Sequence, residues 1–504
     1  MLQVYRSRPV GNLDSDALSF LSSMDDDVDL FFYDILGSQA HVIMLFESHI
    51  LTQKEVVDIL IGLNQLVSNP EQLNRPGINS SEDIHEMIES AIIRITGIDS
   101  GGKMHTARSR NDQVVLDIRM KLRDDVNSIC TEILRLARSL VRVAEENVDT
   151  IMPMYTHLQQ AQLGVLSQYM LSYCYSLIRN FERYYDAFTR INASPLGACA
   201  IGGSSMDIDR EKVATMLGFS GIVYNSVDAT SSRDFLIEFV SICLNTMLDL
   251  CRMSEDFILW STSEFGFIVL DDKYSSSSSA MPQKKNPDPL ELIRGKTATI
   301  QGDFVSISSI MKGLPSGYSR DLQELKPLLW KTSSTLRDSI KIMERIVSTL
   351  YVDKKAAYNS SSKSYAIALD IAEQLIRDGD ISFRVAHKVI GALVESASTR
   401  GNIPMNALSV DDIAIVLKNI DFSHPILTSE KIYKTIQSIT PETSIKLRRT
   451  KGSPNKNEQA FMISYLKSVL DKYESELEHR IQDLTKMQNN LVNRIKRIID
   501  QGSP

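Results

Sequence analysis

The sequence predicts an all-α protein built around a long central helical bundle, and three observations predict it. Val115, Leu122, Ile129, Leu136 and Val143 recur every seven residues, and Ile118, Ile133 and Leu140 fill most of the alternate seam. Such a repeat marks one face of a helix that buries that face against a neighbour. Helical periodicity also runs through residues 159–192, 234–259 and 289–311. No βαβ alternation and no G-x-G-x-x-G after a strand pattern is present, and Gly197 to Gly203 lacks the lysine of a phosphate-binding loop.

In chain order, residues 34–51 read as one helix and 53–66 as the next. Asn74, Arg75, Pro76 and Gly77 break the pattern. Ser81, Glu82 and Asp83 then offer capping oxygens and early negative charge to a helix ending near Ile95. These elements make an N-terminal, mainly helical domain, 1–111. The seven-residue repeat opens a central long-helix domain, 112–353. Its first helix has roughly 35 residues, about 50 Å at 1.5 Å per residue. After Asp353 come shorter helical stretches and a turn from Pro404 to Asp411. Residues 457–500 read as one long charged helix with a solvated or partner-contact face. The third domain is therefore 354–504, helical, with an extended terminal helix.

Composition narrows the function. The 504 residues are 43% hydrophobic and 23% charged, ordinary for a soluble protein of two or three domains. A net charge of −8 argues against nucleic acid as a partner. Cys130, Cys174, Cys199, Cys243 and Cys251 show no C-x-x-C spacing and read as reduced core residues of a cytoplasmic protein. The 8 histidines form no paired ligand pattern, so no metal site is expected. The first 13 residues lack the apolar core of a signal peptide. No uncharged apolar run nears the ~20 residues of a membrane span, so no membrane partner is expected.

The most distinctive segment is Tyr274-Ser275-Ser276-Ser277-Ser278-Ser279-Ala280-Met281-Pro282-Gln283-Lys284-Lys285-Asn286-Pro287-Asp288. A serine run alone would be a solvated linker. This one leads into a cationic turn. A hydroxyl held near lysine charge and backbone N–H groups can exist as an alkoxide and take a proton from carbon.

This segment resembles the signature loop of the fumarase/aspartase superfamily, and within it the argininosuccinate lyase family. Four more blocks carry the resemblance. They are Gly102 through Gln113, containing His105-Thr106-Ala107-Arg108-Ser109-Arg110-Asn111-Asp112; Tyr155-Thr156-His157-Leu158-Gln159; Asn225 through Phe235; and Gly313 through Lys326, containing Asp321-Leu322-Gln323-Glu324. The blocks run in family order from about Asp34 to about His387. The resemblance implies a three-domain fold whose central bundle forms the multi-helix core of a homotetramer, with each active site shared between subunits.

The implied reaction is the β-elimination of argininosuccinate to arginine and fumarate, reversible and without cofactor. A base removes a proton beside a carboxylate, and an acid assists the departing nitrogen. The dianionic intermediate is the energetic problem, so positive charge and N–H donors must surround one carboxylate. Carried over position by position, the catalytic candidates are Ser278, His157, Lys284 and Glu291, with Glu291 pairing with His157. The base is either Ser278 or His157. The implied substrate contacts are Ser38, Asp83, Arg110, Asn111, Thr156, Arg233, Ser279, Asn286, Tyr318, Gln323 and Lys326. Loop closure is expected to activate Ser278, so the signature loop should be open or disordered in the free enzyme.

Four positions depart from the family pattern. Ala107, Met154 and Ser277 stand where glycine is usual, and Leu163 where proline is usual. If the position of Ser277 needs a positive φ, it costs about 1–2 kcal/mol. The competing readings are another fumarate-releasing lyase, such as adenylosuccinate lyase, and a non-catalytic, crystallin-like structural protein.

Overall fold

The structure is a computed structural model that describes residues 14–70 and 81–502. The polar segment 1–13 and the break at Asn74, Arg75, Pro76 and Gly77 lie outside the described residues. The N-terminal part contains α1 (Phe31–Glu47), α2 (Gln53–Ser68) and α3 (Ile84–Thr96). Thr52 and Glu55 form a reciprocal cap on α2, and the Asp83 carboxylate caps α3 by accepting the Glu86 N–H. The stretch Ser15–Glu47 is long and apolar enough by composition to cross a membrane once a window with charged residues is admitted. The fold accounts for this, because 67% of its most apolar window is buried inside the protein.

The bundle is built on α4 (Arg110–Glu146), whose start is fixed by Ser109 and Asp112 capping each other's backbone. Val115, Leu122, Ile129, Leu136 and Val143 are all buried, as the repeat requires. Against α4 pack α5 (Leu166–Ile191) and α8 (Leu325–Thr349), with α6 (Asp234–Ser261) and α7 (Asp288–Met311) completing the layer. The sequence reading did not single out α8. It buries Leu329, Leu336, Ile340, Met343 and Val347 along one stripe.

Residues 159–165 are not the start of a helix. They form β2 (Gln159–Val165), antiparallel to β1 (Ile151–Thr156). Ala161, Leu163 and Val165 alternate with polar Gln160 and Gln162, which is the period of a strand rather than of a helix. Two-residue ladders pair β3 (Ile268–Val269) with β6 (Tyr351–Val352), and β4 (Ser276–Ser277) with β5 (Lys285–Asn286).

A separate apolar core gathers α9 (Ala368–Gly379), α10 (Phe383–Thr399), α11 (Val410–Asn419) and α12 (Ser429–Ser438) around Leu375, Leu393, Ile413 and Ile432. The terminal helix α13 (Lys456–Gly502) does not join that core. It runs back along the bundle, burying Leu466, Leu470, Leu491 and Ile495 against α4, α5 and α2. Arg138 binds Glu474 and Asp471, Lys467 pairs with Glu145, and the Ile498 carbonyl accepts from Gln53 at 3.1 Å. Cys130, Cys174 and Cys243 are buried as expected, but Cys199 and Cys251 are only half-buried, and all five are free thiols.

Candidate active site

The start of α3 and the start of α4 meet. Asp83 accepts the Glu86 N–H at 2.9 Å through one oxygen and an Arg110 N–H at 2.7 Å through the other. Burial pushes the Asp83 carboxyl up, but His85, Arg110 and the Glu86 N–H outweigh it and hold the group below its usual range. The Arg110 guanidinium also lies 6.0 Å from the Tyr318 ring centroid. Beside it, Arg320 donates to Glu82 at 2.9 Å and reaches Gln323 at 3.4 Å. Ser38 is fully buried, accepting from Arg108 at 2.9 Å and donating to Asp34 at 3.3 Å. Asn111 donates to the Ala200 carbonyl at 3.0 Å.

Two expected substrate contacts are enclosed. Arg233 is 1% exposed and donates to the Thr230 and Ser232 carbonyls at 3.1 and 2.8 Å. Burial lowers its pKa to about 10, and its Nε has no hydrogen-bond partner. Lys326 forms a buried ion pair with Asp27, so its charge is already matched within the chain. Gln323 donates to the Leu21 carbonyl at 3.2 Å.

The signature loop is a small hairpin rather than an open or disordered segment. Ser276 faces Asn286 and Ser277 faces Lys285 across the β4–β5 ladder. The Ser278 N–H donates to the Lys284 carbonyl at 3.2 Å, and the Lys284 N–H to Met281 at 3.0 Å. This turn aims the backbone N–H groups of Ala280 and Met281 at the Ser278 Oγ, at 3.2 and 3.1 Å. Two fixed donors on one hydroxyl oxygen are what a developing alkoxide needs. Ser279 and Lys284 are exposed, and Asn286 reaches the Ser276 hydroxyl at 3.5 Å. Ser277 lies in extended backbone, so the strain expected there is absent.

The strain falls elsewhere. Ala107 has φ +57°, so this substituted glycine position carries the left-handed backbone. Met154 is accommodated by Gly164 across the β1–β2 pair, where an added Cβ would meet its Sδ at 2.3 Å. Leu163 is 1% exposed and packs beside Val165 and Ile151.

His157 and Leu158 form the tip of the β1–β2 hairpin with φ +55° and +57°, the backbone of a tight I′-type turn. Thr156, His157 and Leu158 are all exposed. Glu291 is exposed in the first turn of α7. Among the described residues no hydrogen bond or ion pair joins His157 to Glu291 or to Ser278, so the expected pair does not form within one chain. One chain thus presents three separate groups: the Asp83–Arg110–Tyr318 cluster, the signature loop with Glu291, and the histidine hairpin.

Residue reasoning missed the buried layer beneath the first group. Asp34 Oδ2 accepts from His85 Nδ1 at 2.5 Å and from Gln113 Nε2 at 2.7 Å. Asp34, His85 and Asp117 place possible ligand atoms within 4.8 Å of one another, a geometry the histidine spacing did not reveal. The two donors already seated on Asp34 make this a hydrogen-bonded hub. The available signal was positional: Asp34 lies one helical turn before Ser38, and His85 two residues after Asp83.

A family described as Lyase matches residues 27–302, and one described as Argininosuccinate lyase C-terminal matches 365–446. The chain is 45% identical to argininosuccinate lyase of Nitrosopumilus maritimus over 98% of its length and 100% of the relative's. It is 38% identical to that of Methanothrix thermoacetophila, covering 94% and 95%. The crystal structure of EDDS lyase in complex with formate superposes with a TM-score of 0.87 at 29% identity, covering 94% of this chain and 93% of that one. The chain belongs to the argininosuccinate lyase family, within the lyases of the fumarase/aspartase fold.

Proposed function

We propose that the protein cleaves argininosuccinate to arginine and fumarate by β-elimination, with no cofactor, in the cytoplasm. The observation that carries the reading is the Ser278 hydroxyl oxygen held by the Ala280 and Met281 N–H groups. These donors stabilise the alkoxide that abstracts the proton beside the substrate carboxylate. Lys284 and Asn286 from the same loop, with Ser279, face the carboxylate on which charge accumulates. Losing one such donor typically costs about 10²–10³ in kcat. His157, oriented by Glu291, handles the proton at the leaving nitrogen. Arg110, Asn111 and Thr156 grip the carboxylates, and the enclosed Arg233 supports the backbone at Thr230 and Ser232 behind them. Asp83 and Tyr318 meet the amino-acid end, with Ser38, Gln323 and Lys326 supporting that wall.

The proposed assembly is a homotetramer whose sites combine groups from different subunits. The separation of the three groups on one chain supports this. So do Leu158 at the hairpin tip and Leu248, Leu292 and Val305 along α6 and α7, all at least half exposed in the isolated chain. The chain is proposed to divide at about residues 111 and 353, with α13 bracing the first two parts. Fumarate release from argininosuccinate by the purified protein tests the reaction, and its absence overturns it.

A further inference from the structure

We propose that Asp34 is a positioning residue that ties three substrate-contacting segments into one unit; this rests on the reading of the site above. Asp34 is 1% exposed and sits on α1. One oxygen accepts from Ser38, one turn further along the same helix, at 3.3 Å. The other accepts from His85 on α3 at 2.5 Å and from Gln113 on α4 at 2.7 Å. His85 is two residues past Asp83, and Gln113 three past Arg110, each in the opening turn of its helix. A single carboxylate therefore fixes Ser38, the cap of α3 and the start of α4 against one another. Arg108 closes the group from the far side through Ser38.

Three donors converge on Asp34, so the site requires an acceptor-only group. An asparagine would turn an N–H₂ towards one of those donors and leave it buried without an acceptor. Asp117 provides the contrast. It is fully buried, it lies 3.6 Å from His85, and neither of its oxygens accepts a hydrogen bond. Burial and the neighbouring Asp34 charge push its carboxyl well above the usual range. An amide at 117 takes an acceptor from none of these three donors, whereas an amide at 34 destroys the hub.

The test compares the full-length wild type with D34N, Q113M and D117N in steady-state argininosuccinate cleavage and in amide hydrogen exchange. Loss of substrate grip raises KM while leaving kcat nearly intact, whereas a partly unfolded preparation lowers kcat alone. D34N is expected to raise KM about tenfold with kcat within about threefold, a size typical of losing a supporting hydrogen-bond partner. Q113M should move KM in the same direction by less, and D117N should leave it unchanged. Should D34N fail to fold, Q113M carries the same reading. Amides of residues 83–86 and 110–113 should exchange faster in both D34N and Q113M, whatever the substrate. An inactive wild type would overturn the proposed reaction alone. Unchanged KM in an active D34N and Q113M, or unchanged exchange at both segments, would overturn the hub.

Discussion

The Ser278 N–H donates to the Lys284 carbonyl at 3.2 Å, closing the signature loop so that the backbones of the proposed base and Lys284 pair across one turn. The same turn delivers the Ala280 and Met281 N–H groups to the Ser278 oxygen. Ser278→Ala removes the hydroxyl and leaves the backbone. We predict a fall in kcat of about 10³ with KM changed little, since the lost group acts in the transition state. An unchanged kcat would remove Ser278 from the chemistry.

A shared site predicts complementation. His157→Ala and Ser278→Ala each damage a different group, and among the described residues no hydrogen bond or ion pair joins the two within one chain. Mixed assemblies, formed by dissociation and reassembly, should regain activity that neither parent shows. No recovery in mixtures verified by mass to be heteromeric would count against sites shared between subunits.

Ala107 holds φ +57°, a backbone that favours glycine. An ordinary Ala→Gly change costs about 0.5–1 kcal/mol in unfolded-state entropy. Here the relief of about 1–2 kcal/mol of left-handed strain offsets it. Ala107→Gly should therefore leave stability unchanged or raise it by up to about 1 kcal/mol, as read by urea midpoint. A clear loss would show that the side chain contributes contacts outweighing the strain.

Glu89 is 5% exposed, and its Oε2 accepts no hydrogen bond. Burial pushes its pKa up to about 7, against the pull of Arg108. A carboxyl raised in the folded state contributes stability that is present below its unfolded pKa near 4.5 and lost as pH rises through about 7. Glu89→Gln removes that loss. The variant's advantage in unfolding free energy should grow between pH 5 and 7 and level off above, up to roughly 3 kcal/mol for a shift of this size. A pH-independent difference would assign the effect to packing alone.

Much of the fold was legible because its signals are local. The seven-residue repeat from Val115 to Val143 fixes which face of α4 is buried, and Asp83 and Ser109 announce helix starts through their capping oxygens. The β1–β2 hairpin was not legible, because Gln159 and Gln160 adjoin a long helical pattern and the turn uses His157 and Leu158 rather than glycine. The destination of α13 was equally hidden. Its charges read as a solvated or partner-contact face, yet Arg138 and Glu145, 336 and 322 residues earlier, receive them. In the site, the order of the motifs named the groups, but only tertiary packing brings Asp34, His85 and Gln113 to one point. The strain expected at Ser277 falls instead at Ala107, where none was expected, because local backbone geometry decides it.

The most direct measurement is fumarate release followed by its ultraviolet absorbance, with argininosuccinate and adenylosuccinate offered separately to the purified protein and to Ser278→Ala. The account predicts release from argininosuccinate alone, and its loss in the variant. Release from adenylosuccinate would keep the chemistry and contradict the substrate, and silence with both would contradict the enzyme reading itself.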